Sequence, residues 1–151
     1  MPSRRAASSA DAISIAIVSA RSGGSAPFLS RSASVSPSRY SITRKVGTFV
    51  VTDVGWNKNG VGQQFPIDVP GAFITPSGLA TMGFGPAAAL GVKVAQPDRH
   101  AIALVGDGGF STNPSVVATA MEAGLHVIWL VMDNSAFGTI AGLEDMHYGS
   151  T

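Results

Sequence analysis

The sequence predicts an α/β fold, a parallel sheet flanked by helices, preceded by a poorly structured leader. Three observations lead there. "AIALVG" (101–106) and "HVIWLVM" (126–132) are apolar almost throughout, as expected of parallel strands covered on both faces. Between them, "STNPSVVATAMEAG" (111–124) carries the start and stop signals of a helix. Strands that alternate with helices build a parallel sheet through crossover connections.

Taken in order, residues 1–45 stand apart. They hold thirteen serines, seven of the ten Lys/Arg and a single acid, Asp11, for a net +6. Residues 46–151 hold three basic and eight acidic residues, for a net −5. The overall +1 therefore averages two unlike pieces and says nothing about partners. A disordered leader or a gene-boundary artefact fits the first piece, since such compositions seldom build cores. Its Arg- and Ser-rich, acid-poor character also fits an organelle transit peptide, and "AISIAIVSA" behind Arg4 and Arg5 fits a short secretory signal. A cytoplasmic protein is the default expectation, with an organelle as the alternative.

The domain proper is expected over 46–151. "TFVVTD" (48–53) reads as a short strand, "WNKNGVGQQF" (56–65) as a loop or a helical turn, and "GAFITPSG" (71–78) as a second short strand. The second half of "ATMGFGPAAALGVKVA" (80–95) reads as a buried helix with Pro86 in its first turn and Pro97 beyond its end. In the 111–124 helix, Thr112 or Asn113 is the expected cap, Pro114 the start and Gly124 the stop. "GTIAGLEDMHY" (138–148) opens one more helix.

Composition removes several functions. Charged residues make up 13% and apolar residues 45%, which argues against a disordered domain. The absence of cysteine excludes disulfides and thiolate metal sites. No apolar run reaches the roughly 18 residues that span a bilayer, so no membrane partner is expected. The basic leader lacks an aromatic platform, so no nucleic-acid partner is expected either.

In a parallel α/β sheet, ligands bind at the carboxyl ends of the strands. Three strand ends carry polar residues: Asp53, Asp107, and Asp133 with Asn134. Asp107 and Asn134 flank one βαβ unit. If its strands are neighbours, about 4.8 Å apart, a carboxylate and an amide oxygen emerge side by side. That pair suits Mg²⁺, which takes oxygen ligands and is completed by water and phosphate oxygens. Gly108 and Gly109 lead into a helix N-terminus, where free N–H groups favour an anion and missing side chains open the backbone. An ordinary strand–turn–helix with Asp107 as a local cap is the competing reading.

Two familiar phosphate motifs fail. There is no GxxxxGK[ST]. "GFGPAA" (83–88) imitates G-x-G-x-x-A but sits within a small-residue run, where helix packing explains it better. His100, His126 and His147 have no motif partner and read as surface or strand-end residues.

Together, "GDGGF" (106–110), "MDN" (132–134) and "PSGLATMGFGPAAALGVKVAQPDR" (76–99) resemble the thiamine diphosphate (ThDP) enzymes, and among them the acetolactate synthase-like group. The resemblance covers roughly 46–151. It implies that Asp107, the Asn134 side chain and the Ala136 carbonyl bind Mg²⁺. It implies that Gly108 and Gly109 face the diphosphate, with further cofactor contacts from Val54, Gly55, Trp56, Asn57 and Gly138. Met82 would support the bent cofactor, and the Ala80 carbonyl would accept from its aminopyrimidine.

The chain departs from that pattern at four places. Ala80 replaces the usual Gly, Asp133 the first Asn of a pair, Trp56–Asn57 a common Gln–His, and Leu143 a substrate-channel Trp. These leave the cofactor site intact and bear on the substrate.

The implied chemistry is decarboxylation of a 2-oxo acid, leaving an enamine that is protonated or attacks a second carbonyl. It requires a glutamate from a pyrimidine-binding domain, normally on another subunit of a homodimer or homotetramer. Nothing in residues 1–45 supplies that domain. The chain is therefore expected to be a fragment, truncated at its C-terminal end, with no catalytic residue of its own and inactive alone. A ThDP-dependent decarboxylase or lyase, or a non-catalytic cofactor-binding domain, are the alternatives.

Overall fold

The computed structural model describes residues 14–19, 47–67 and 69–149. The elements in chain order are β1 (Ser14–Ser19), β2 (Phe49–Thr52), α1 (Trp56–Gln64), β3 (Phe73–Ile74), α2 (Phe84–Ala95), β4 (Ala101–Gly106), α3 (Asp107–Ser111), α4 (Ser115–Ala123), β5 (Ile128–Asp133) and α5 (Gly138–Tyr148). They form one five-stranded sheet in the order β1-β5-β4-β2-β3. Every pairing is parallel. The predicted α/β architecture is the observed one.

Alternation along the strands explains how the core is built. Val51, Ala103, Val105, Trp129 and Val131 are buried on one face against Ala89, Leu90 and Val92 of α2 and Val116 and Ala120 of α4. Ala103 pairs with Trp129 across β4 and β5, so the smallest side chain stands beside the largest. The Trp129 ring is fully buried. Its Nε1–H donates to the Pro86 carbonyl at 3.3 Å, and Phe110 meets it edge-on at 6.3 Å. An indole can be buried this way because its one donor is satisfied.

Several predicted elements change in detail. Residues 56–64 form a full helix despite Gly60 and Gly62. Tertiary ties outweigh the weak propensity: the Asn57 amide donates to the Leu104 carbonyl of β4 at 3.1 Å. Asp107 does not end a strand but opens α3. This short helix also moves the cap of α4. Pro114 occupies the N-cap, because the Thr112 hydroxyl turns back to the Gly109 carbonyl at 2.7 Å and Asn113 accepts from Ser115 Oγ at 2.7 Å. Gly124 closes α4 in the left-handed conformation, as expected.

Ser14–Ser19 adds a strand that the reading of 1–45 as a leader did not anticipate. It lies beside β5, with Ser14 opposite Ile128 and Ser19 opposite Asp133. The rest of that leader, with its disorder and targeting readings, lies outside the described residues. Among the described residues, no helix is long and apolar enough to cross a membrane.

Candidate functional site

The order of the strands locates the site. From β2 the chain moves to β3 on one side, then returns to β4 on the other. The direction of winding therefore reverses between β2 and β4. In such sheets the crevice at the carboxyl ends of the two strands at the reversal is the binding position. Asp53 follows β2 there, Asp107 follows β4, and Asp133 ends the neighbouring β5.

Asp53 and Asp107 differ sharply. Asp53 is fully buried. Its Oδ1 accepts the Val54 N–H at 2.9 Å, and its Oδ2 accepts the Gly83 N–H, at the start of α2, at 2.9 Å. Its own N–H donates to the Leu104 carbonyl at 3.0 Å. Asp53 therefore fastens β2, α2 and β4 to one another. Asp107 is half-buried in the first turn of α3. Among the described residues, none donates a hydrogen bond to its carboxylate or pairs with it.

The glycines also answer a demand for space within the fold. A Cβ at Gly109 would collide with the Asp53 carboxylate. A Cβ at Gly108 would stand 2.6 Å from Phe137 Cε1 and 3.2 Å from Met82 Cε. Both α-carbons thus seat neighbouring side chains. Gly83 and Gly85 behave likewise. A Cβ at Gly83 would strike Thr112 Oγ1, and one at Gly85 would lie 3.0 Å from the Asp53 nitrogen. "GFGPAA" is a packing motif, as the sequence reading held.

Three helix N-termini converge on this edge. α1, α3 and α5 begin after Gly55, Gly106 and Phe137, with no side-chain cap among the described residues. Gly55 approaches Thr139 of α5, whose Oγ1 would lie 3.7 Å from an added Cβ. Phe137 lies on Gly108 of α3. Uncapped N-termini present unpaired N–H groups and the positive end of the helix dipole.

The loop after β5 is fixed at Ser135, which has a left-handed φ of 54°. Its N–H and Oγ donate to Asp133 Oδ1 at 2.9 and 3.2 Å. Asp133 is thus an acceptor that holds the loop carrying Asn134 and Ala136, a local task an aspartate performs as well as an asparagine.

The structure brings together Gly55, Trp56, Met82, Gly108, Asn134 and Gly138. Asn134 rests on Gly138 beside Trp56. The Asn57 side chain is engaged by β4 and by the Lys58 N–H at 2.8 Å. The Val54 N–H is taken by Asp53. Ala80 precedes Met82 with a left-handed φ of 48°. No hydrogen bond among the described residues joins Ala80 or Ala136 to Asp107. His100, His126 and His147 are exposed, and none is among these residues. Among the described residues, no group of three or more His, Cys, Asp or Glu could hold a metal.

Sequence reasoning missed the role of Asp53, which it took for a strand end, and it missed Phe137 altogether. The signal for Asp53 lay in the glycines at 85 and 109, which are far from it in sequence.

The chain matches the family described as thiamine pyrophosphate enzyme, C-terminal TPP binding domain, over residues 53–151. It is 38% identical over 102 residues to a probable acetolactate synthase large subunit of Methanocaldococcus jannaschii, a match covering 68% of this chain and 17% of that protein. It is 37% identical over 99 residues to the acetolactate synthase isozyme 1 large subunit of Escherichia coli, covering 66% and 18%. Against the acetolactate synthase large subunit of Lactococcus lactis it is 35% identical over 99 residues, covering 66% and 17%. The chain thus spans under one fifth of the length of these relatives. By this match and these relatives, the chain belongs to the thiamine pyrophosphate enzyme family, as an acetolactate synthase-like C-terminal TPP-binding domain.

Proposed function

We propose that the domain holds the diphosphate end of ThDP through Mg²⁺ and serves an acetolactate synthase-like enzyme acting on 2-oxo acids. The observation that carries this reading is the Asp107 carboxylate in the first turn of α3, without a hydrogen-bond partner among the described residues, on the sheet edge where α1 and α5 also begin without a side-chain cap. The N-termini favour an anion. A carboxylate alone would repel that anion, and a bridging hard cation removes the conflict. The Asp107 carboxylate, the Asn134 amide oxygen and the Ala136 carbonyl are the all-oxygen set that Mg²⁺ takes.

The main-chain N–H groups of Gly108 and Gly109 face the diphosphate in this reading, with Val54, Gly55, Trp56, Asn57 and Gly138 around it. Met82 supports the cofactor from below, and the Ala80 carbonyl accepts from its aminopyrimidine. When bound, ThDP supplies an electron sink for decarboxylation. The activating glutamate comes from a pyrimidine-binding domain or a homologous subunit, and this chain provides positioning and charge. The departures at Trp56–Asn57 and Leu143 bear on which 2-oxo acid is taken.

Equilibrium titration of the chain with ThDP, with and without Mg²⁺, tests the proposal. Binding is expected to require the metal and to vanish with a chelator. Asp107→Ala and Asn134→Ala are expected to weaken it tenfold or more. Unchanged affinity in Asp107→Ala would overturn the metal site. Adding a separate pyrimidine-binding domain is expected to restore turnover of pyruvate or another 2-oxo acid.

A further inference from the structure

Gly138 opens α5, yet its backbone does not demand glycine: it is not among the residues with positive φ. On helix propensity alone, alanine would be favoured there by up to about 1 kcal/mol. The demand comes from space. A Cβ at position 138 would stand 2.8 Å from Asn134 Nδ2, and 3.5 and 4.0 Å from Trp56 Cδ1 and Nε1. One turn along the same helix, a Cβ at Gly142 would meet nothing within 4 Å.

A methyl group there would displace the end of the exposed Asn134 side chain rather than the backbone beneath it. The loop that carries Asn134 is held by Asp133 through Ser135. The first turn of α1, which carries Trp56, is tied to β4 by Asn57. We propose that Gly138 is a positioning residue, the seat on which the Asn134 amide rests, with the Trp56 indole as its side wall. Seating the NH₂ arm directs the other arm, Oδ1, away from Gly138, and Oδ1 is the atom a hard cation takes. Trp56 thus acts on the metal through Asn134. This inference rests on the metal-site reading above.

The test uses the full chain, with Mn²⁺ and ThDP as probes. Affinity is read by calorimetry, bound Mn²⁺ by its paramagnetic resonance signal, and stability by Tm. Gly138→Ala is expected to weaken Mn²⁺–ThDP binding tenfold or more while its Tm equals or exceeds that of the wild type. Gly142→Ala, the same change in open space, is expected to raise Tm and leave affinity within twofold. Trp56→Ala is expected to weaken binding several-fold and Trp56→Phe to restore it. The proposal is overturned if Gly138→Ala binds within twofold of wild type while Asn134→Ala loses binding. A fall in Tm matching the loss of affinity overturns it too, since Gly138 would then be merely structural. If Asn134→Ala binds as wild type does, the metal-site reading fails and takes the proposal with it.

Discussion

The carboxyl ends of β2 and β4 lie side by side, and each is followed by an aspartate. At the first, every acceptor is spent within the fold: Asp53 is fully buried and takes N–H groups from Val54 and Gly83. At the second, Asp107 is half-buried and is left without a donor from the described residues. The same side chain is architecture in one place and has no partner among the described residues in the other. The difference lies in what packs around it. α2 begins over Asp53, its Gly83 N–H bonded to the carboxylate, and two glycines are cleared for it, at 85 and 109. Asp107 stands in the first turn of α3.

Substitutions can break that comparison or sharpen it. The largest effect on stability is expected from Asp53→Ala, which strands two N–H groups. Its cost should be about 2–4 kcal/mol by denaturant unfolding, as buried unsatisfied donors cost about 1–3 kcal/mol each. A loss within 0.5 kcal/mol (an order-of-magnitude bound for substitutions away from such features) would mean that Asp53 does not fasten the fold. Gly109→Ala comes next, forcing a methyl group onto the Asp53 carboxylate. Overpacking of this kind costs about 1–3 kcal/mol; in an Asp53→Ala background the penalty should shrink, because the clash has been removed. Ala80→Gly is expected to be smaller and of opposite sign. Left-handed backbone costs alanine about 1–2 kcal/mol, glycine returns about 0.5–1 kcal/mol of that in chain entropy, and the net gain should raise Tm slightly.

The same contrast shows what the sequence could convey. β4 and β5 are legible because they are apolar almost throughout, and α2 and α4 because their punctuation is local. Asp107 and Asn134 stood out as polar residues closing apolar runs, and the pairing of Gly106 with Met132 confirms that their strands are neighbours. What could not be read was what each glycine seats. Gly109 and Asp53 are 56 residues apart in the chain, and the collision that forbids a side chain exists only once β2, α2 and α3 have packed. The helix over 56–64 was illegible for a related reason: Gly60 and Gly62 argue locally against it, and its anchor is a carbonyl on β4. The strand at Ser14–Ser19 was hidden within a Ser- and Arg-rich context.

Thermal unfolding with and without Mg²⁺–ThDP, run on wild type and Asp107→Ala together, tests the division of labour between the two aspartates most directly. A ligand at about 100 times its Kd stabilises the fold it binds by about 2.7 kcal/mol. Wild type should show that rise in Tm. Asp107→Ala should unfold at the wild-type Tm without ligand and show no rise with it. A ligand-free Tm well below wild type, or an undiminished rise on adding Mg²⁺–ThDP, would contradict the account.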